Sequence, residues 1–420
     1  MIGSVSKIVA SAVVTASVFV STPAGAQDWT RFRGPNGTGI SSATTVPVQF
    51  AEKDYNWRVA LPGAGHSSPV VWGKKVFLTG ANEDTGKRHL FCVSTTEGKL
   101  LWKSEYGFSK YSVHPQFNRF ASGSPAVDAD HVYLTWATPD SLFVTALDHN
   151  GREVWKRESL GNFTGSHGCG QSPIVVGDIL VVPNDNEKQG PSWLMGLNRR
   201  TGATKWVRPR PTTDSAAYAT PMVYQPKGGK PELVFTCKTH GFTSLDPETG
   251  DVNWEVTGVF NQRCVSSPVQ AGDLLIGTCG AGDGSKQLVA IRPGSKGKPG
   301  EVAYRMARNA CYVPTPIAFG ERLFLWGDQG IVTCLNAKTG DVVWTERADG
   351  NYFASPVCIN GKIYNVNTKG EVVVIDASDQ FKLLARNPVL EESYSTPAVS
   401  DGVLYVRTET HLISVGGKKK

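Results

Sequence analysis

Between Thr315 and Glu346 the chain alternates apolar and polar residues in four short runs parted by turn chemistry. The runs are Thr315 to Ala318, Arg322 to Trp326, Ile331 to Leu335 and Asp341 to Trp344. Gly320-Glu321, Gly327-Asp328-Gln329-Gly330 and Lys338-Thr339-Gly340 separate them. Period-two alternation broken by glycine-bearing turns predicts four antiparallel strands joined in order. One such sheet cannot bury both of its faces alone, so it must stack on copies of itself.

The copies are present. The opening Ser/Thr-Pro recurs at Ser68-Pro69, Ser124-Pro125, Ser172-Pro173, Thr220-Pro221, Ser267-Pro268, Thr315-Pro316, Ser355-Pro356 and Thr396-Pro397. Successive prolines stand 56, 48, 48, 47, 48, 40 and 41 residues apart. Four strands per period in the forties predict a β-propeller. A second mark closes most repeats: a turn glycine four residues before an aromatic wedge. The wedges are Trp102, Trp155, Trp206, Trp254 and Trp344, with Gly300 to Tyr304 a softer copy and Leu384 near the equivalent place in the seventh repeat. The eighth unit, Thr396 to Val415, has room for only three strands. Tyr55 to Leu61, with Trp57 in the wedge position, supplies the fourth, because borrowing a strand from the other terminus removes an exposed edge. The expected fold is therefore all-β, an eight-bladed propeller of four-stranded blades whose last blade is closed by an N-terminal strand.

Three segments follow from this. Residues 1–26 read as a secretory signal peptide: Lys7, the apolar run Ile8 to Val20, then Ala24-Gly25-Ala26 as the cleavage site. Residues 27–54 form an arm with a turn-rich Gly34-Pro35-Asn36-Gly37 core, expected to pack on the propeller. Residues 55–420 are the ring. A chain cleaved near Ala26 is periplasmic or extracellular. No other window approaches the ~18 apolar residues of a membrane helix.

Composition changes the picture little. Forty-five glycines and 25 prolines suit many hairpins, and 43 Lys+Arg against 37 Asp+Glu leave a scattered net charge of +6. That gives no footprint for nucleic acid. Eight cysteines are an even number in an exported chain, and Cys264 and Cys311, each just ahead of a Ser/Thr-Pro, are the pair placed to meet. Cys92, Cys334 and Cys358 sit within strands, where a small buried hydrophobe serves, and buried free thiols are the expectation for the set.

Three segments carry a family likeness: Leu335-Asn-Ala-Lys-Thr-Gly-Asp-Val-Val-Trp344, Leu245-Asp-Pro-Glu-Thr-Gly-Asp-Val-Asn-Trp254 and Leu197-Asn-Arg-Arg-Thr-Gly-Ala-Thr-Lys-Trp206. They resemble the tryptophan-docking repeat of pyrroloquinoline quinone (PQQ) propellers. That superfamily holds quinoprotein alcohol dehydrogenases and the noncatalytic assembly factor BamB. The Phe32 to Gly39 arm and the terminal Arg407 to Leu412 segment resemble exported PQQ-binding-like repeat proteins, so the likeness spans essentially the whole mature chain. It implies the fold; activity does not follow from packing residues. The dehydrogenases, by the same resemblance, carry adjacent cysteines over the quinone, a Glu/Asn/Asp calcium site and an Asp base. This sequence has no Cys-Cys pair and lacks their long insertions.

Residues just ahead of each Ser/Thr-Pro are expected around the central funnel: His66, His167, Cys169, Tyr218, Arg263, Tyr312, Tyr352, Phe353 and Tyr394. The long first spacing adds Tyr111, His114, Asn118 and Arg119. Such a ring can grip a polar or aromatic ligand, but propeller interiors are usually filled by side chains, and plugging is the expected role. His66, His114 and His167 are a conceivable metal triad without fixed spacing; hydrogen-bonded rim histidines are the default. Asn184 to Glu187 and Gly280 to Ser285 match no calcium loop and read as turns. Neither a G-x-S-x-G nor an H-E-x-x-H motif occurs.

The sequence thus reads as an exported noncatalytic binding or assembly scaffold, BamB-like in cell-envelope protein assembly, with no catalytic residue and no metal or cofactor assigned. Its expected partners are other envelope proteins, and the chain is expected to be a monomer. The alternative is a quinone- or metal-dependent periplasmic oxidoreductase, using PQQ with calcium.

Overall fold

A computed structural model describes residues 28–108, 111, 113, 117–212 and 214–417. The signal-peptide reading and His114 lie outside them. Eight antiparallel sheets follow one another along the chain. The sixth blade has the strands Ile317–Phe319, Arg322–Trp326, Ile331–Asn336 and Val342–Arg347, within three residues of the boundaries expected from alternation. Its second and third strands are buried along most of their length and its fourth is largely exposed. Each blade thus runs from an axial strand to a peripheral one. In the eighth, Tyr55–Ala60 pairs antiparallel with His411–Gly416, which closes the ring as expected.

Apolar side chains of facing blades merge into clusters between them, such as Val269, Ile276 and Leu288 of blade five against Leu323, Leu325 and Leu335 of blade six. All eight cysteines are buried and free. Cys264 joins the cluster between blades four and five, and Cys311 the one between five and six. The set is thus one of buried free thiols, as expected, and the Cys264–Cys311 pairing that their spacing allowed is not formed, because a whole blade's packing separates the two thiols.

The repeated Gly and Trp act across blades rather than within one. The indole N–H of Trp57, Trp102, Trp155, Trp206 and Trp344 donates at 2.9–3.0 Å to a carbonyl in the outer turn of the next blade. Tyr304 does the same with its hydroxyl. The indoles of Trp57, Trp102, Trp155 and Trp206 also pack on that turn's glycine, whereas the turn that meets Trp344 has none. At Gly250, φ is +70° and an added Cβ would stand 2.5 Å from the Trp206 ring, so both backbone and contact demand glycine. Trp254 departs from the pattern: it is buried between blades four and five, but its N–H turns to Glu232 Oε2 at 2.7 Å in its own blade. The fifth blade's outer turn, Pro293 to Gly300, has a different course and brings Gly300 against Val256 instead.

Ser/Thr-Pro builds the inner wall. Around most of the ring the backbone N–H of the Ser or Thr donates to the hydroxyl of its counterpart in the following blade. Six of these steps, at 2.8–3.1 Å, are Ser68 to Ser124, Ser124 to Ser172, Thr220 to Ser267, Ser267 to Thr315, Thr315 to Ser355 and Ser355 to Thr396. The proline then sets φ for the axial strand, whose inner edge needs no ladder donor at that point.

That inner edge is covered by the arm. Trp29 exchanges both backbone bonds with Val71 of blade one. Thr30 accepts from Val127 of blade two, and the Asn36 amide brackets Val223 of blade four at 2.7 and 2.8 Å. Ile40–Ser41 adds a parallel fifth strand to Val357–Ile359 of blade seven. The arm crosses the lower channel and satisfies edges that would otherwise face a cavity.

Candidate functional site

The arm closes one end of the channel and leaves a blind cup of about 570 Å³ above it. Phe32 forms the floor, and the eight Ser/Thr side chains of the ring form the throat. The volume is that of a small-ligand or side-chain pocket. His66, His167, Tyr218, Arg263, Tyr312, Phe353 and Tyr394 all line it, as their place ahead of Ser/Thr-Pro predicts. They do not plug it. The arm fills the channel instead, so these side chains stand around open space.

Other expectations shift. Tyr352 is fully buried in the blade wall, its ring edge-on to Trp326 and its hydroxyl donating to the Asp349 carbonyl at 2.7 Å. The neighbour Phe353 takes the cup position, because successive residues of an extended segment face opposite ways. Cys169 lies in the core between blades two and three. Tyr111 packs on Phe120 and accepts from Arg88 away from the axis. Arg119 stands at the edge of the mouth, on Glu409 at 2.8 Å and Glu83 at 3.6 Å. Among the described residues no three His, Cys, Asp or Glu side chains form a metal-holding group.

One wall is aromatic. His66 stacks on Tyr394 with ring centroids 4.5 Å apart, Tyr394 meets Phe353 at 5.5 Å, Phe353 meets Phe117 at 5.5 Å, and Phe117 stands edge-on to His167 at 5.5 Å. These offset and edge contacts are the favoured aromatic geometries. Burial, with the Arg407 and Arg119 charges behind it, pushes the His66 imidazole down to about 3, so the ring is neutral at ordinary pH. Its Nε2 is buried and makes no hydrogen bond within the described residues.

The opposite wall is polar, and its charges are already matched. Arg263 reaches Glu187 at 3.1 Å and Ser166 Oγ at 3.2 Å. Lys286 contacts Asp328 at 2.6 Å, and Asp328 also accepts from the Tyr312 and Val313 N–H groups at 3.1 and 2.9 Å. Asn184 to Glu187, expected as a plain turn, is instead a run of anchoring side chains: Asp185 faces Arg210, Asn186 holds Thr164, and Glu187 holds Arg263.

The floor is different again. Arg31 and Arg33 flank Phe32, and both are buried. Arg31 donates to the Pro221 carbonyl. Arg33 donates to the Pro316 carbonyl at 2.8 Å, with longer contacts to Gly37, Thr38 and Pro356. Neither forms an ion pair among the described residues, and burial lowers both to about 9, which leaves them charged at neutral pH. Arg407, behind His66, is likewise fully buried and bonded to Ser67 and the Thr79 carbonyl.

Phe32, Phe117, Lys286, Asp328, Glu187 and the floor arginines were not picked out by sequence spacing. The throat had a visible signal: eight of eight repeats place a hydroxyl before the proline.

These observations define an eight-bladed propeller with a blind, aromatic-walled axial cup. A family model described as outer membrane protein assembly factor BamB matches residues 42–293 and 307–382, so the chain belongs to that family of propellers. No curated protein matches significantly. Among solved structures, BamB from Moraxella catarrhalis is similar with TM-score 0.60 at 15% identity, over 86% of this chain and 97% of that one. The quinohemoprotein alcohol dehydrogenase from Comamonas testosteroni aligns with TM-score 0.64 at 12% identity, over 94% and 81%. A europium-containing methanol dehydrogenase aligns with TM-score 0.52 at 14% identity, over 92% and 90%. At these identities the likeness is one of fold.

The quinone and calcium that the resemblance to dehydrogenases implies would have to be held by the residues of this cup. The eight thiols lie within or between blades, and none lines the cavity. Asp328 lines the cup but is held by Lys286, and Glu187 is held by Arg263. A hard divalent cation needs several free oxygen ligands. The residues present do not fit a quinone–calcium centre.

Proposed function

We propose that this protein is an exported, noncatalytic binding scaffold of the cell envelope, and that the open mouth of the cup is its working face. The observation that carries this reading is the division of the mouth into a continuous aromatic wall and a wall of mutually neutralised ion pairs. Pre-formed aromatic surface with satisfied polar neighbours suits recognition of another molecule's side chains. A carboxylate held by a basic residue and two backbone N–H groups, as Asp328 is, is set for structure rather than proton transfer. Kinship with the BamB family supports a protein partner in the envelope, and the apolar leader before Ala26 supports export.

The test is cross-linked capture from envelope extract, comparing the wild type with a Phe117→Ala/Phe353→Ala variant, alongside titration with PQQ and Ca²⁺. The reading expects a partner captured by the wild type and lost in the variant. One-to-one PQQ binding that raises the melting temperature by linkage would overturn it and favour the oxidoreductase alternative.

A further inference from the structure

The charges around the cup do not balance on their own. Mouth cations sit on carboxylates, but three guanidinium groups at and behind the floor and wall do not: Arg31, Arg33 and Arg407 are buried without a carboxylate at ion-pairing distance among the described residues. Arg31 and Arg33 flank the floor residue Phe32 in sequence. Arg407 lies close behind the wall, where a Cβ on Gly65, next to His66, would stand 2.6 Å from its Nη2. Charges held in a low-dielectric, water-poor surround act at longer range than surface charges. The space above Phe32 is therefore favourable to a negative charge.

Direct donors are at hand as well. Each ring hydroxyl whose oxygen accepts a neighbour's backbone N–H keeps its own O–H to donate. All eight Ser/Thr residues of the ring, these included, line the cavity and are at most 5% exposed. Higher up stand His66, Tyr394, Phe353 and Phe117, a surface that accepts a flat ring. An anion at the bottom and an aromatic group beside the wall describe one ligand, not two.

Shape narrows it further. The cup is floored by Phe32, so a chain cannot thread through; it must turn back or end inside. A hairpin tip brings a negative charge to the floor only where it carries Asp or Glu, whereas every free C-terminal chain end brings a carboxylate. We infer that the cup receives the C-terminal residue of a partner chain, an aromatic one, with its carboxylate on the throat hydroxyls and its ring on the His66–Tyr394–Phe353 wall. This rests on the binding-scaffold reading and names the feature of the partner that the mouth recognises.

The experiment needs only the wild-type protein and synthetic probes: calorimetric titration with the tripeptide Ala-Ala-Phe, its C-terminal amide, Ala-Ala-Ala, and 3-phenylpropanoate. The free-carboxylate Phe peptide is expected to bind at least tenfold more tightly than the amide and than Ala-Ala-Ala, and affinity should fall as salt rises. Equal binding of acid and amide would overturn the role of charge. Equal binding of 3-phenylpropanoate and the peptide would overturn the chain end in favour of a small aromatic acid. Absence of binding by every probe would overturn the inference. If the Phe117→Ala/Phe353→Ala variant still loses its captured partner in that last case, the scaffold reading stands while the terminus assignment falls. As a check on place, Tyr394→Ala is expected to weaken the peptide at least fivefold with its melting temperature nearly unchanged; unchanged affinity would place the peptide elsewhere and overturn the assignment.

Discussion

The two ends of the channel are built on opposite electrostatic plans. At the mouth, Arg119, Arg263 and Lys286 each rest on a carboxylate. At the floor, Arg31 and Arg33 rest on backbone carbonyls of the axial strands. The first arrangement leaves a neutral, partly exposed surface that a partner can meet without stripping water from a bare charge. The second concentrates positive charge where no solvent relieves it, and ties blades four, six and seven to one segment. The floor is thus a structural clasp that also sets the field of the cup, while the mouth, which the proposed function makes the recognition surface, carries little structural burden.

If that contrast is right, damage at the floor should cost stability and damage at the mouth should cost binding. The largest effect is expected for Arg33→Ala. It removes a fully buried group and strands the Pro316 and Pro356 carbonyls, so stability should fall by about 3–5 kcal/mol in chemical denaturation. Trp206→Ala tests the blade seam instead, and a loss of about 3–4 kcal/mol is expected from its nearly complete burial and its bond to Pro247. Gly250→Ala, which forces a side chain into that same contact at positive φ, should cost about 1–3 kcal/mol. Phe353→Ala should lie within about 1 kcal/mol of the wild type and yet lose the partner.

Acid offers a subtler probe. The His66 imidazole is held down to about 3 in the folded chain, against about 6.5 when unfolded. Between those values the unfolded state binds a proton that the folded state refuses. His66 therefore makes stability fall as pH drops from about 6.5 towards 3, with no effect above that window. Melting curves of His66→Gln should show a shallower acid decline than the wild type. Identical slopes would mean that the imidazole is not shielded as described.

The ring was legible in the sequence because its marks repeat. Eight Ser/Thr-Pro steps and a recurring Gly-x-x-x-Trp fixed blade number, strand order and closure, with Tyr55–Ala60 completing the last blade. The positions ahead of each proline also located the cup, since every blade presents the same corner to the axis. What could not be read was anything made once. The arm has no internal copy, so its course through the channel was invisible, and with it the identity of Phe32 as a floor. The parity of neighbouring residues was equally hidden: Tyr352 and Phe353 are both aromatic, and only the backbone decides which enters the wall. Ion pairs such as Arg263–Glu187 join residues 76 apart in different blades, beyond any local spacing rule.

The most direct test places a photo-cross-linking amino acid at one position on each end of the channel, Phe353 at the mouth or Thr38 on the exposed face of the arm, and irradiates cells producing each variant. A discrete partner adduct from position 353, absent from position 38, is the predicted result. An adduct formed from position 38 and not from 353 would contradict the account, because it would make the clasped end, rather than the aromatic mouth, the face that meets the partner.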